Sequence, residues 1–109
     1  MDVLVRCKGF ETSGSLAAYT KRKVHQHLSR FGHRVSTVEA RLSDVNGPRG
    51  GRDKRCLFTV KLPGLAPLHI EELHENFYAG VDVAIGRLAE AVGRGIQRSR
   101  KNHTERGTS

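Results

Sequence analysis

With 109 residues, 37% hydrophobic and 28% charged, the chain suits one globular domain with a modest core and is too short for two. Its 19 Lys and Arg against 11 Asp and Glu give a net charge of +8, the electrostatic footprint of a protein that neutralises phosphates. No apolar run is long enough to cross a membrane, and the N-terminal stretch Met1 to Arg6 acquires charge too soon for a signal peptide, so a cytoplasmic protein is expected.

Val3 to Phe10 alternates, with Val3, Val5 and Cys7 on one side and Leu4, Arg6 and Lys8 on the other, the pattern of a half-buried strand. Glu11 to Ser15 is turn-forming, and Ser13 or Ser15 can cap a helix. From about Leu16 to Phe31, apolar residues recur at helical spacing. Leu16, Val24, Leu28 and Phe31 form the stripe, Thr20 fills its gap, and Gly32 stops the helix. Val35 to Val45 alternates again, with Val38, Ala40 and Leu42 inward. Asn46 to Asp53 reads as a long, flexible, basic connection between strands.

Lys54 to Leu62 predicts a third strand, with Cys56, Phe58, Val60 and Leu62 inward. Pro63 to Pro67 turns the chain, and Leu68 to Leu73 is a short fourth strand. A second helix runs from the capping residue Asn76 to about Lys101, with Phe77, Val81, Ile85, Leu88, Val92 and Ile96 along one side. Gly80, Gly86, Gly93 and Gly95 lie within it, each costing about 1 kcal/mol relative to Ala. Either close packing on the sheet or close approach to an RNA backbone accounts for them. Residues 1–101 then form the domain, and residues 102–109 form a polar, flexible tail.

The order β-α-β-β-β-α implies an α+β fold. The first two strands form a right-handed parallel crossover, the others pair as antiparallel hairpins, and both helices cover one face of a four-stranded mixed sheet. This order extends the core topology of double-stranded-RNA-binding domains, a fold-level analogy.

The charge is unevenly placed. Lys21, Arg22, Lys23, Arg30 and Arg34 occur with no acid between them, as do Arg94, Arg98, Arg100 and Lys101. The glycine-rich connection adds Arg49, Arg52, Lys54 and Arg55 against Asp53 alone, whereas acid collects at Glu71, Glu72 and Glu75. Both basic helix runs should project from one side of the molecule and suit a cleft lined by phosphates. Two Tyr, four Phe and no Trp favour shape and phosphate recognition of folded RNA over stacking on single-stranded bases.

No constellation for catalysis emerges. His25 and His27 are two apart on a helix and do not face each other, and His69 and His74 need not converge. Neither cysteine has a zinc-ligand spacing, and both read as buried free thiols. The Glu71, Glu72 and Glu75 group reads as a solvated acidic edge or as favourable charge near the start of the second helix. The segment Gly47 to Gly51 lacks the Gly-Lys-Ser/Thr ending of a phosphate loop. No cofactor, metal, catalytic residue or small-molecule substrate is expected.

The stretch Val38 to Cys56, VEARLSDVNGPRGGRDKRC, resembles the second-strand, loop and third-strand signature of the ribosome hibernation promoting factors, a family that includes the ribosome-associated translation inhibitors. Phe77-Tyr78-Ala79-Gly80-Val81-Asp82 is similar to that family's opening of the last helix, and Arg87-Leu88 and the run Arg94 to Lys101 to its basic ending. The resemblance extends from about Val3 to Lys101. It implies the same fold and binding of the small ribosomal subunit in the channel of messenger and transfer RNA, which blocks translation and preserves idle ribosomes. It places ribosomal-RNA contacts on Lys21, Arg22, Lys23, Arg30, Arg87, Arg94, Arg98, Arg100 and Lys101; the loop charge adds Arg49 and Arg52. Tyr78 is expected to pack at the sheet edge and Asp82 to pair with a base such as Arg87.

Long-form members carry a further C-terminal domain that joins two ribosomes. This chain has the short-form length, so pairing by that route is not expected, nor is self-association when free. The alternatives are a general RNA-binding or RNA-chaperone domain acting off the ribosome, and a small hydrolase or metal enzyme.

Overall fold

The computed structural model describes residues 1–8, 14–45 and 53–108, with residues 101–108 described as backbone. Strand β1 (Asp2–Lys8) leads into helix α1 (Gly14–Leu28) and a 3-10 helix (Ser29–Arg34). Strands β2 (Thr37–Asp44), β3 (Lys54–Lys61) and β4 (Leu68–His74) follow, and helix α2 (Phe77–Thr108) closes the fold. The strands lie in the order β1-β2-β3-β4. β1 pairs parallel with β2, and β2–β3 and β3–β4 pair antiparallel. The α+β, β-α-β-β-β-α architecture with both helices on one sheet face is the one the sequence implies.

Period-two alternation sets the sheet register. Val38, Ala40 and Leu42 on β2 and Cys56, Phe58 and Val60 on β3 are all buried on the helix side. Val3, Val5 and Cys7 pack against the same core but stay half-buried, because β1 is an edge strand. Cys7 is therefore less enclosed than expected, whereas Cys56 is fully buried, and both thiols are free.

Helix α1 buries Leu16, Thr20, Val24 and Leu28, one residue per turn. Thr20 enters this stripe because its hydroxyl donates to the Leu16 carbonyl at 2.8 Å, which satisfies the one polar group it brings inside. The α-helix ends at Leu28, earlier than the predicted Phe31, and tightens into the 3-10 turn. Gly32 sits there at φ 60°, ψ −135°, a backbone conformation that penalises a side chain. Phe31 remains half-buried against the core.

Asn76 caps α2 as predicted, its side-chain oxygen accepting from the amides of Tyr78 at 2.8 Å and Ala79 at 3.3 Å. A Cβ at Gly80 would lie 3.0 Å from Cys56 Sγ and 3.2 Å from His74 Cβ, so close packing of α2 on the sheet accounts for this glycine. The helix continues to Thr108, beyond the predicted end near Lys101. The apolar period stops at Ile96, but no proline follows to interrupt the backbone ladder. The expected Ser13 cap, the end of the first strand at Phe10 and the flexible connection at residues 46–52 lie outside the described residues.

Candidate nucleic-acid interface

The two helices lie side by side and run in the same direction. Ser15 meets Tyr78, Tyr19 meets Asp82, and Phe31 meets Gly93, so contacts advance together along both helices. Parallel packing brings both C-terminal ends to one end of the molecule. Arg30 and Arg34 follow directly on the end of α1 at Leu28, and the parallel packing sets them beside the Arg94 to Arg100 stretch of α2.

Arg30, Arg34, Arg94 and Arg100 converge on a groove of about 540 Å3 between the 3-10 turn and α2, with Phe31 and Gly93 also lining it and Glu90 as its one carboxylate. Arg30 lies over the Phe31 ring, 4.8 Å from its centroid, in a cation–π contact that steadies the guanidinium. Arg98 is exposed one turn beyond Arg94, and Lys21 and Arg22 are exposed on α1. Arg34 joins this set although the family resemblance does not include it. Its charge was legible in the sequence; its position on the groove required the 3-10 turn.

Other predicted residues are placed differently. Lys23 is part-buried, 3.7 Å from Asp82. Arg87 turns toward β4, where it is paired with Glu72 and donates to the Glu71 carbonyl at 3.3 Å. Arg55 pairs with Glu71 at 2.7 Å. Glu71 and Glu72 on the edge strand β4 are thus partners of arginines, and Glu71 stays exposed as the expected acidic edge. Arg49 and Arg52, and the Lys101 side chain, lie outside the described residues.

Asp82 does not pair with Arg87: five residues along a helix is about 140° of rotation, and Asp82 faces α1. It accepts the Tyr19 hydroxyl at 2.6 Å. Tyr78 does not pack at the sheet edge; its ring meets that of Tyr19 edge-on at a centroid distance of 4.9 Å. Tyr19 also lies beneath Arg22 and Lys23, each 5.5 Å from its centroid. A residue just outside the α1 stripe therefore joins the helices and steadies two cations, a role that helical periodicity alone does not reveal.

The hydrogen bond to Asp82 holds the Tyr19 hydroxyl above its ordinary pKa, with burial adding to the effect. A group raised by folding contributes stability below its unfolded value, about 10, and loses that contribution as pH rises through the folded value. Asp82→Asn is expected to return the late tyrosine titration, followed by ultraviolet absorbance, toward the ordinary value. An unchanged titration would contradict the bond.

At the opposite end of the helix pair, Lys54 donates to Asp44 at 2.8 Å, and that bond raises its pKa despite desolvation. Its ammonium is also 3.2 Å from Oδ1 of buried Asp53, an ion-pair contact outside hydrogen-bond geometry. Burial, followed by the charge of Glu72, pushes the Cys56 thiol up to about 12, which disfavours a nucleophilic thiolate. His69 bonds Thr59 at 3.0 Å, and among the described residues no three His, Cys, Asp or Glu side chains gather as metal ligands. No helix among them is long and apolar enough to cross a membrane.

Fold and site define a two-layer α+β domain whose helical layer carries an acid-poor, arginine-rich groove. The chain belongs to the sigma 54 modulation protein / S30EA ribosomal protein family, whose sequence profile it matches over residues 3–100. A ribosomal subunit interface protein from Coxiella burnetii is similar in structure, with a TM-score of 0.71 at 20% identity, covering 86% of this chain and 96% of its own. The N-terminal domain of Thermus thermophilus Protein Y gives a TM-score of 0.71 at 24% identity, covering 86% and 98%. No curated protein sequence matches the chain.

Proposed function

We propose that this protein is a ribosome-associated translation inhibitor that occupies the messenger and transfer RNA channel of the small subunit and keeps ribosomes idle. The observation that carries this reading is the parallel packing of α1 and α2, which sets Arg30 and Arg34, on the turn after α1, against Arg94 and Arg100 of α2 in one groove. Family membership supplies the ribosomal context. An occluder of this kind needs shape and charge but no chemistry: guanidinium groups replace counterions at phosphates, and the body of the domain excludes other ligands. The protein acts in the cytoplasm and is a monomer when free, with ribosomal RNA as its partner and with no cofactor or small-molecule substrate.

Cosedimentation with purified small subunits at low and high salt tests this. Retention at low salt with steep loss at high salt is expected. Absence from the subunit fraction at both salts refutes the reading. Equal affinity for an isolated RNA duplex and for ribosomes instead assigns a general RNA-binding domain acting off the ribosome.

A further inference from the structure

We propose that the open face of the sheet, opposite the helices, is a second docking surface for RNA phosphates, so that the domain is held between two RNA segments. No element covers this face among the described residues. Arg6, Lys8, Arg41 and Arg55 line a concavity of about 720 Å3 on it, together with Ser43 and Leu57 and without a carboxylate. A second concavity of about 420 Å3 shares Arg41 and Leu57 and continues toward Lys61.

The arrangement runs against sheet stability. Arg6 and Arg41 are direct cross-strand partners, and like charges so placed repel. Glu39 is their shared counter-charge, 2.6 Å from Arg41 and 3.7 Å from Arg6. Both arginine side chains remain largely exposed, at 67% for Arg6 and 63% for Arg41. In the next cross-strand row, Lys8 lies opposite Ser43, which lies opposite Arg55. Arg55 is held by Glu71 of β4 at 2.7 Å, whereas Lys8 has no carboxylate partner among the described residues. Cations concentrated where they weaken the sheet point to an anionic partner.

The same face narrows the choice of anion. Among the described residues its outward positions hold no Phe, Tyr or Trp, so stacked single-stranded bases lack a platform there. A second copy of the chain would set one cationic face against another. Backbone phosphates of folded RNA fit the rows of Arg and Lys with Ser43 and Thr59 between them. The inference rests on the ribosomal reading only for the first probe used.

The test compares wild type with the triple variant Arg6→Gln, Lys8→Gln, Arg41→Gln. Binding to small subunits, and separately to a 20-base-pair RNA duplex, is measured over a salt series. The logarithmic salt slope of the triple variant is expected to be shallower by about two to three, one increment per lost phosphate contact. Charge-conserving Arg6→Lys, Arg41→Lys should keep the wild-type slope, which separates charge from fold. An unchanged slope on both probes in a variant that melts like wild type overturns the inference. Failure of the wild type on subunits with retention on the duplex refutes the ribosomal reading while leaving the sheet face tested on the duplex.

Discussion

Replacing Arg94, Arg98 and Arg100 together with Gln should cut small-subunit affinity by at least tenfold at moderate salt and flatten the salt slope by about two to three. The three positions are exposed on α2. Arg94 and Arg100 line the inter-helix groove with Arg30 and Arg34, and Arg98 continues the surface one turn on. The polar substitutions leave the apolar contacts of Val92 and Ile96 in place. Unfolding by urea should therefore change by less than about 0.5 kcal/mol, the ordinary range for exposed sites. Weaker binding with an unchanged slope would show that α2 meets the subunit without touching phosphate.

A matching change at Arg87 should do much less. Arg87 lies on the same side of α2 as Arg94, two turns earlier, but is tied to Glu72 and the Glu71 carbonyl on β4. Arg87→Gln is expected to leave the salt slope nearly intact. The contrast separates residues that share a family motif from residues that share a surface.

The fold was largely legible because its two periods are clean. Alternation in β2 and β3 assigns Val38, Ala40, Leu42, Cys56, Phe58 and Val60 to the core, and all six are buried. The capping role of Asn76 follows from its type and place. What escaped depends on contacts between elements. Tyr19 and Asp82 meet across 63 residues, and Glu72 and Arg87 across 15, and no local pattern announces either pair. The basic groove was half legible: charge runs identify its arginines, but only the 3-10 turn after α1, laid against α2, joins them. The outward arginines of β1 and β2 were visible as the polar phase of the alternation. Their sharing of a surface follows from the parallel register, which sets Arg6 against Arg41.

The largest stability effect is expected at Phe58. Phe58→Ala should lower unfolding free energy by about 3–5 kcal/mol, the usual cost of emptying a phenyl-sized space in a closed core. Phe58 is wholly buried on β3, a central strand. Its neighbours across the sheet are Ala40 on β2 and Ile70 on β4. A ring beside the methyl of Ala40 is a large-small pairing, so the small neighbour cannot expand to refill the space. Such a loss is a large share of the roughly 5–15 kcal/mol that holds a domain folded, and it should lower the melting temperature by well over 10 °C. Phe58→Leu, which keeps most of the volume, should cost appreciably less. Urea melts of the three proteins measure the series, and a loss below about 1 kcal/mol for the Ala variant would contradict closure of the helices over β3. In the cold, where Phe58→Ala is still folded, its binding to small subunits should keep the wild-type salt slope, because no phosphate-facing cation has changed. The arginine triple should behave in the opposite way, stable but weakly bound. That double dissociation would place affinity on the charged faces and stability in the layer between them.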